Sequence, residues 1–143
     1  MLRVTGPRER IRDLRSRLML AIEIDNRSGS EVDERAVAAL ARRVLAAEGF
    51  VEGELGLAFV GPEEIRTLKA EHLGIDEATD VLSFPIDARD ELPPGLPRAL
   101  GDVVLCPQVV GEGWQAPLVH GLLHLLGYDH GRAMELRERE LAT

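Results

Sequence analysis

The sequence predicts an α+β fold: a single domain built on a small, mostly four-stranded sheet with helices packed against it. Three observations point there. Four short apolar, β-patterned runs, "MLAIEID", "ELGLAFV", "TDVLSFP" and "GDVVLC", are interleaved with segments of helical period. Neither an internal repeat nor a low-complexity linker divides the chain. A length of 143 residues suits one domain with a sizeable core.

Taken in order, "MLAIEID" from Met19 reads as a buried first strand, followed by the turn-rich "NRSGS". In the next segment Val37, Leu40, Ala41, Val44 and Leu45 fall at i, i+3, i+4, i+7 and i+8. That is an amphipathic helix with acids at its start, closed by Gly49. "ELGLAFV" alternates Leu55, Leu57 and Phe59 as a second strand. "GPEEIRTLKAEH" opens a short helix with Pro62 in its first turn and two acids behind it. "TDVLSFP" is a third strand stopped by Pro85, and residues 86–100 form a Pro-rich loop, a functional flap or a merely mobile segment. "GDVVLC" is a fourth strand ended by Pro107. A helix from about Ala116 and a last one over "RAMELRERELA" complete the chain. Strand order is not legible from these patterns.

Composition narrows the class. The chain is 45% hydrophobic, 29% charged and 3% aromatic, as in ordinary soluble domains. No apolar run approaches the ~20 residues of a membrane span, and the N-terminus lacks a secretion-signal core, so the expectation is a cytoplasmic protein. The single cysteine, Cys106, excludes an intrachain disulfide and fits a reducing compartment. It reads as a small buried hydrophobe, with thiolate ligation of a metal the lesser alternative. Net charge is −8, unevenly spread. Residues 1–18 hold six arginines against Glu9 and Asp13, a net +4 that leaves −12 on the body at 19–143. An acidic body argues against a broad nucleic-acid surface, so any RNA site must be local. The basic extension 1–18 reads as disordered chain, or as a translated leader upstream of a start at Met19, in preference to an RNA-seeking tail.

The chemistry lies in residues 120–130, "HGLLHLLGYDH". His120 and His124 are four apart, on one helix face with Cβ atoms about 6 Å from each other. Both imidazoles can then reach one Zn²⁺ at about 2.0–2.1 Å. His130 would lie about 9 Å further along a continuous helix. Gly127 removes that obstacle, because a left-handed cap there ends the helix and lets His130 swing back. Three of the chain's four histidines at this spacing read as a metal site, and His72 as an ordinary solvated side chain. Three neutral imidazoles leave an open position, the pattern of a catalytic zinc, with a structural zinc as the alternative.

Against the zinc-peptidase pattern H-E-x-x-H-x-x-G-x-x-H, one position differs: Gly121 stands where the peptidase has its catalytic glutamate. Peptide hydrolysis is thereby demoted. A phosphodiester is compatible with the glycine, since a carboxylate beside the metal would repel its anion. The candidate bases are Asp129, Asp80 and Asp102. Asp129 equally suits orienting a ligand imidazole. Asp80 and Asp102 open strands, where a capping role is the simpler reading.

"HGLLHLLGYDH", with "TDVLSFP" and "LGDVVLCPQVV" in that order, resembles the YbeY family of ribosomal-RNA maturation endoribonucleases over about Met19 to the C-terminus. The resemblance implies a zinc-dependent enzyme that cuts single-stranded RNA, matures the end of small-subunit ribosomal RNA and takes part in ribosome quality control. It also implies a fold related to metallopeptidases at the metal site, with His120, His124 and His130 on the zinc-ligand positions. Three departures stand out. Where many members have Tyr-Arg-Gly, this chain has His72, Leu73 and Gly74, without the arginine. The segment "GEGWQAP" before the histidine helix is short for the family, and the basic extension is atypical. Two other classes stay open: a ribosome-associated RNA- or protein-binding factor with a structural zinc, and a metal-dependent hydrolase of a small molecule or peptide.

Overall fold

A computed structural model describes residues 19–73 and 81–142. The basic extension 1–18, Gly74 and Asp80 lie outside the described residues.

The first strand, β1 (Leu20–Asn26), leads into α1 (Glu34–Ala47), whose Asp33 side chain accepts the Ala36 N–H at 3.1 Å as an N-cap. The expected apolar face is the buried one, through Val37, Ala41, Val44 and Leu45. Next come β2 (Gly53–Phe59), α2 (Pro62–Leu73), β3 (Val81–Pro85) and β4 (Ala99–Leu105). The Pro-rich loop is therefore shorter than expected, because Ala99 and Leu100 already belong to β4, with Ala99 paired to Glu54. Pro107 ends that strand by starting a four-residue helix, α3 (Pro107–Val110). A 3₁₀ turn at Gly111–Gly113 then leads into α4 (Gln115–Leu125), and α5 (Arg132–Leu141) follows.

The four described strands form one sheet in the order β1-β2-β4-β3, parallel except for the antiparallel β3–β4 pair. This order corrects two readings. β1 is an edge strand and only half-buried, whereas the sequence reads it as buried. β2 is buried at every position despite its alternation, because it has a strand on each side and apolar clusters against both faces. One face carries α1 and α4, with Val103 and Leu105 under Leu118 and Leu122. Ile65 and Leu68 of α2 cover the other, against Ala58, Leu82, Phe84 and Val104.

Between the Glu54–Ala99 and Leu55–Gly101 pairs the register shifts past Leu100, the extra residue of β4, and Gly101 follows it at φ +144°. A Cβ on Gly101 would stand 2.5 Å from the Phe84 carbonyl and 2.7 Å from Leu125 Cδ1. Only glycine lets β3, β4 and the end of α4 approach so closely. That approach seats the histidine helix on the sheet.

Candidate metal centre

Six apolar side chains of α4 and its cap, Leu118, Val119, Leu122, Leu123, Leu125 and Leu126, are buried, while His120 and His124 stay half-exposed on one flank. The helix ends as its glycine predicts. Gly127, at φ +104°, donates to the His124 carbonyl at 3.1 Å, and Tyr128 N–H reaches back to the Leu123 carbonyl at 3.1 Å. This is a Schellman cap, and it reverses the chain within three residues. His130 thus returns over the helix: its ring centroid lies 5.1 Å from His120 and 4.7 Å from His124, which are 5.7 Å apart.

The far ring nitrogens are already committed. His124 Nδ1 donates to the Tyr128 carbonyl at 2.7 Å. A carbonyl only accepts, so the neutral ring must keep its proton on Nδ1 and its lone pair on Nε2. The Schellman turn therefore both returns the third histidine and orients the second. His120 Nδ1 meets Glu138 Oε2 at 2.7 Å, and an ionised carboxylate imposes the same tautomer. Among the described residues, no group of three or more His, Cys, Asp or Glu side chains has the geometry of a formed metal cage. The rings are gathered side by side, with two of the three held in the tautomer that a zinc ion requires. By donor chemistry and orientation, this set fits the ion.

Glu138 is the residue that sequence reasoning missed, having offered Asp129 for the orienting role. A signal was present. On α5 the buried Met134 and Leu141 lie four residues before and three after Glu138, so a carboxylate falls on the helix's apolar stripe. Asp129 is exposed on the wall of the same cleft as the histidines. Asp102 is elsewhere: it is 3% exposed and pairs across the sheet with Phe84, on the α2 face rather than the α4 face. Strand alternation, with Val103 turned toward α4, puts it there. Cys106 is buried in that second cluster too, as a small hydrophobe, away from the histidines. His72 stands apart, edge-on to Phe84 at 5.5 Å.

Gly121 has a steric explanation that the sequence does not reveal. A Cβ there would lie 2.6 Å from Val81 Cγ2 and 2.9 Å from Val103 Cγ1, so α4 rests directly on β3 and β4. Ser83 Oγ seals the contact by donating to the Gly121 carbonyl at 2.7 Å.

A buried carboxylate braces the rear of the site. Glu48, its side chain 4% exposed, accepts from Arg89 at 2.5 Å, Arg137 at 2.6 Å and the Tyr128 hydroxyl at 3.2 Å. Arg89 Nε also donates to the Leu126 carbonyl at 3.0 Å. The network ties α1, the β3–β4 loop, the histidine turn and α5 together. Burial first, and then the Glu48 charge, raise the Tyr128 hydroxyl above its ordinary pKa.

The histidines open on a cleft of about 480 Å³ whose walls include Lys69, Ser83 and Asp129. A larger groove of about 820 Å³, lined by Leu40, Val119, Glu138 and Leu141, runs between α1, α4 and α5 and shares His120 with the cleft. No helix among the described residues is long and apolar enough to cross a membrane.

Comparison with known proteins places the chain. A family model described as Endoribonuclease YbeY matches residues 23–142. The Endoribonuclease YbeY of Streptomyces coelicolor is 38% identical over 140 residues, covering 83% of this chain and 83% of its own. That of Micrococcus luteus is 41% identical over 140 residues, covering 85% and 84%. The solution structure of a Thermotoga maritima protein matches with a TM-score of 0.53 at 22% identity, covering 86% of each chain, a likeness of fold.

Proposed function

The chain belongs to the YbeY family of endoribonucleases, hydrolases of RNA phosphodiester bonds, and from that premise we propose a zinc-dependent endoribonuclease specific for single strands. Its substrate is small-subunit ribosomal RNA, cut during maturation and ribosome quality control in the cytoplasm. The observation that carries the zinc is the convergence of His120, His124 and His130, two of them with Nδ1 committed, which leaves the lone pair on Nε2.

His120, His124 and His130 would hold the ion through neutral imidazoles. Bound there, zinc supplies Lewis acidity toward a phosphoryl oxygen and a water. The protein's own residues do the rest. Glu138 and the Tyr128 carbonyl hold the imidazoles in register. Asp129, on the cleft wall, is the carboxylate best placed to take a proton from an attacking water, and Asp102, on the far sheet face, is poorly placed for it. Gly121 keeps a second carboxylate away from the anionic substrate.

The test is cleavage of a labelled single-stranded RNA beside its duplex. Purified protein should cut the single strand only, lose activity on chelation and regain it with zinc. Retained stoichiometric zinc without any cleavage would instead favour an RNA- or protein-binding factor with a structural ion.

Glu138→Ala gives a separate expected outcome. Releasing the His120 ring should weaken zinc binding by about 10- to 100-fold, as loss of such a supporting partner typically does. Competition with a calibrated chelator measures this directly. An unchanged affinity would remove Glu138 from the supporting role.

A further inference from the structure

We propose that Glu48 is the positioning residue for His130, holding the third zinc ligand in place from behind the site, an assignment that rests on the zinc reading above. His130 belongs to neither α4 nor α5. It lies on the short stretch Tyr128–His130 between two glycines at positive φ, Gly127 at +104° and Gly131 at +151°. Glycines bend easily, so the backbone by itself leaves this ligand loosely placed. The His130 ring is also exposed and, unlike those of His120 and His124, has no hydrogen bond among the described residues.

Both ends of that stretch lead to one atom. On the near side Tyr128 is half-buried, and its hydroxyl donates to Glu48 Oε2 at 3.2 Å. On the far side α5 begins at Arg132, and Arg137 Nε donates to the same Oε2 at 2.6 Å. Arg137 Nη2 adds a bond to the Ala47 carbonyl at 2.8 Å. The other oxygen, Oε1, accepts from Arg89 at 2.5 Å, and Arg89 Nε holds the Leu126 carbonyl at the entry to the turn. One carboxylate thus sets the span between the turn and α5, across which His130 hangs.

A buried carboxylate suits this task. Ionised, it only accepts, so it serves several donors at once, and bonds from the two guanidinium groups are charge-assisted and strong. Its own anchorage is firm. Glu48 caps α1, its N–H bonded back to Val44 and Leu45, both fully buried. Glu48 does not line the cleft of the histidines, so it acts on the site through Tyr128, Arg89 and Arg137.

The experiment measures zinc affinity by competition with a calibrated chelator, well below each protein's melting point, with the apo-protein Tm read beside it. Glu48→Gln should bind zinc roughly 10- to 100-fold more weakly. Tyr128→Phe keeps the ring and its backbone bonds and loses the hydroxyl alone, so about a 3- to 10-fold loss is expected. A merely structural role would lower Tm and leave the affinity of the folded protein where it was. In a His130→Ala background Glu48→Gln should cause no further loss, because the ligand it positions is already gone. An undiminished loss there would place the action of Glu48 elsewhere and overturn the assignment. Should Glu48→Gln fail to fold, Tyr128→Phe decides: wild-type affinity in that variant sinks the proposal and spares the zinc reading. If wild type itself binds no zinc, both fall together.

Discussion

His124→Ala is expected to lose its zinc and, with it, cleavage by about 10³-fold or more, the scale of several kcal/mol that a catalytic ion supplies. The cause is geometric. His124 is one of three mutually adjacent rings, 5.7 Å from His120 and 4.7 Å from His130, so its loss leaves only two imidazoles to hold the ion. The fold itself should persist without metal, because the side chain is half-exposed and the helix is anchored by its buried leucines. Metal-linked stabilisation should vanish. At a hundredfold excess over its Kd, zinc adds about 2.7 kcal/mol to a protein that binds it only when folded. Thermal melts should therefore rise with zinc for wild type and stay flat for His124→Ala. His72→Ala is the control, since that ring lies against Phe84, outside the cluster, and should keep full zinc. A His124→Ala protein that still binds one zinc and cuts RNA would overturn the three-histidine assignment.

Gly121→Glu, the change that restores the peptidase pattern, should damage the fold rather than create a peptidase. Its Cβ would press on Val81 and Val103, β-branched side chains on paired strands that have little freedom to turn aside. Overpacking of this kind costs about 1–3 kcal/mol, and a carboxylate forced against that apolar wall adds a desolvation penalty. The higher helix propensity of glutamate returns well under 1 kcal/mol. A net loss of about 3 kcal/mol or more is expected, read as a lower denaturant midpoint. Zinc content should drop as well, because α4 must lift from β3 and both helical histidines ride on it. A variant of native stability would mean that the Gly121 contact is slack, and gained peptide hydrolysis would reopen the peptidase reading.

Much of this was legible in the chain. The i, i+3, i+4 pattern from Val37 to Leu45 marks the buried face of α1, with Leu40 only half-covered. The His120–His124 spacing and the glycine break at Gly127 define the cluster, since helix period and left-handed backbone are local properties. Two strands were misjudged in their exposure for one reason. Burial of β1 and β2 depends on which strand lies at an edge, and alternation within a strand carries no information on that.

Local chemistry also determined the family, through three ordered motifs whose spacing needs no tertiary context. Only the tertiary structure decided which carboxylate stands where. Asp102 and Asp129 look alike as candidate bases in the sequence, yet the pleat of β4 turns one to the far face and the Schellman turn leaves the other on the cleft. Glu138 reaches His120 from eighteen residues away because α5 docks through Met134 and Leu141. Gly121, read from the chain as an absent base, proves also to be the point where helix and sheet touch. Side-chain spacing within a helix or strand is set by the backbone's own period. Contact between elements is set by packing, and packing depends on the whole chain at once.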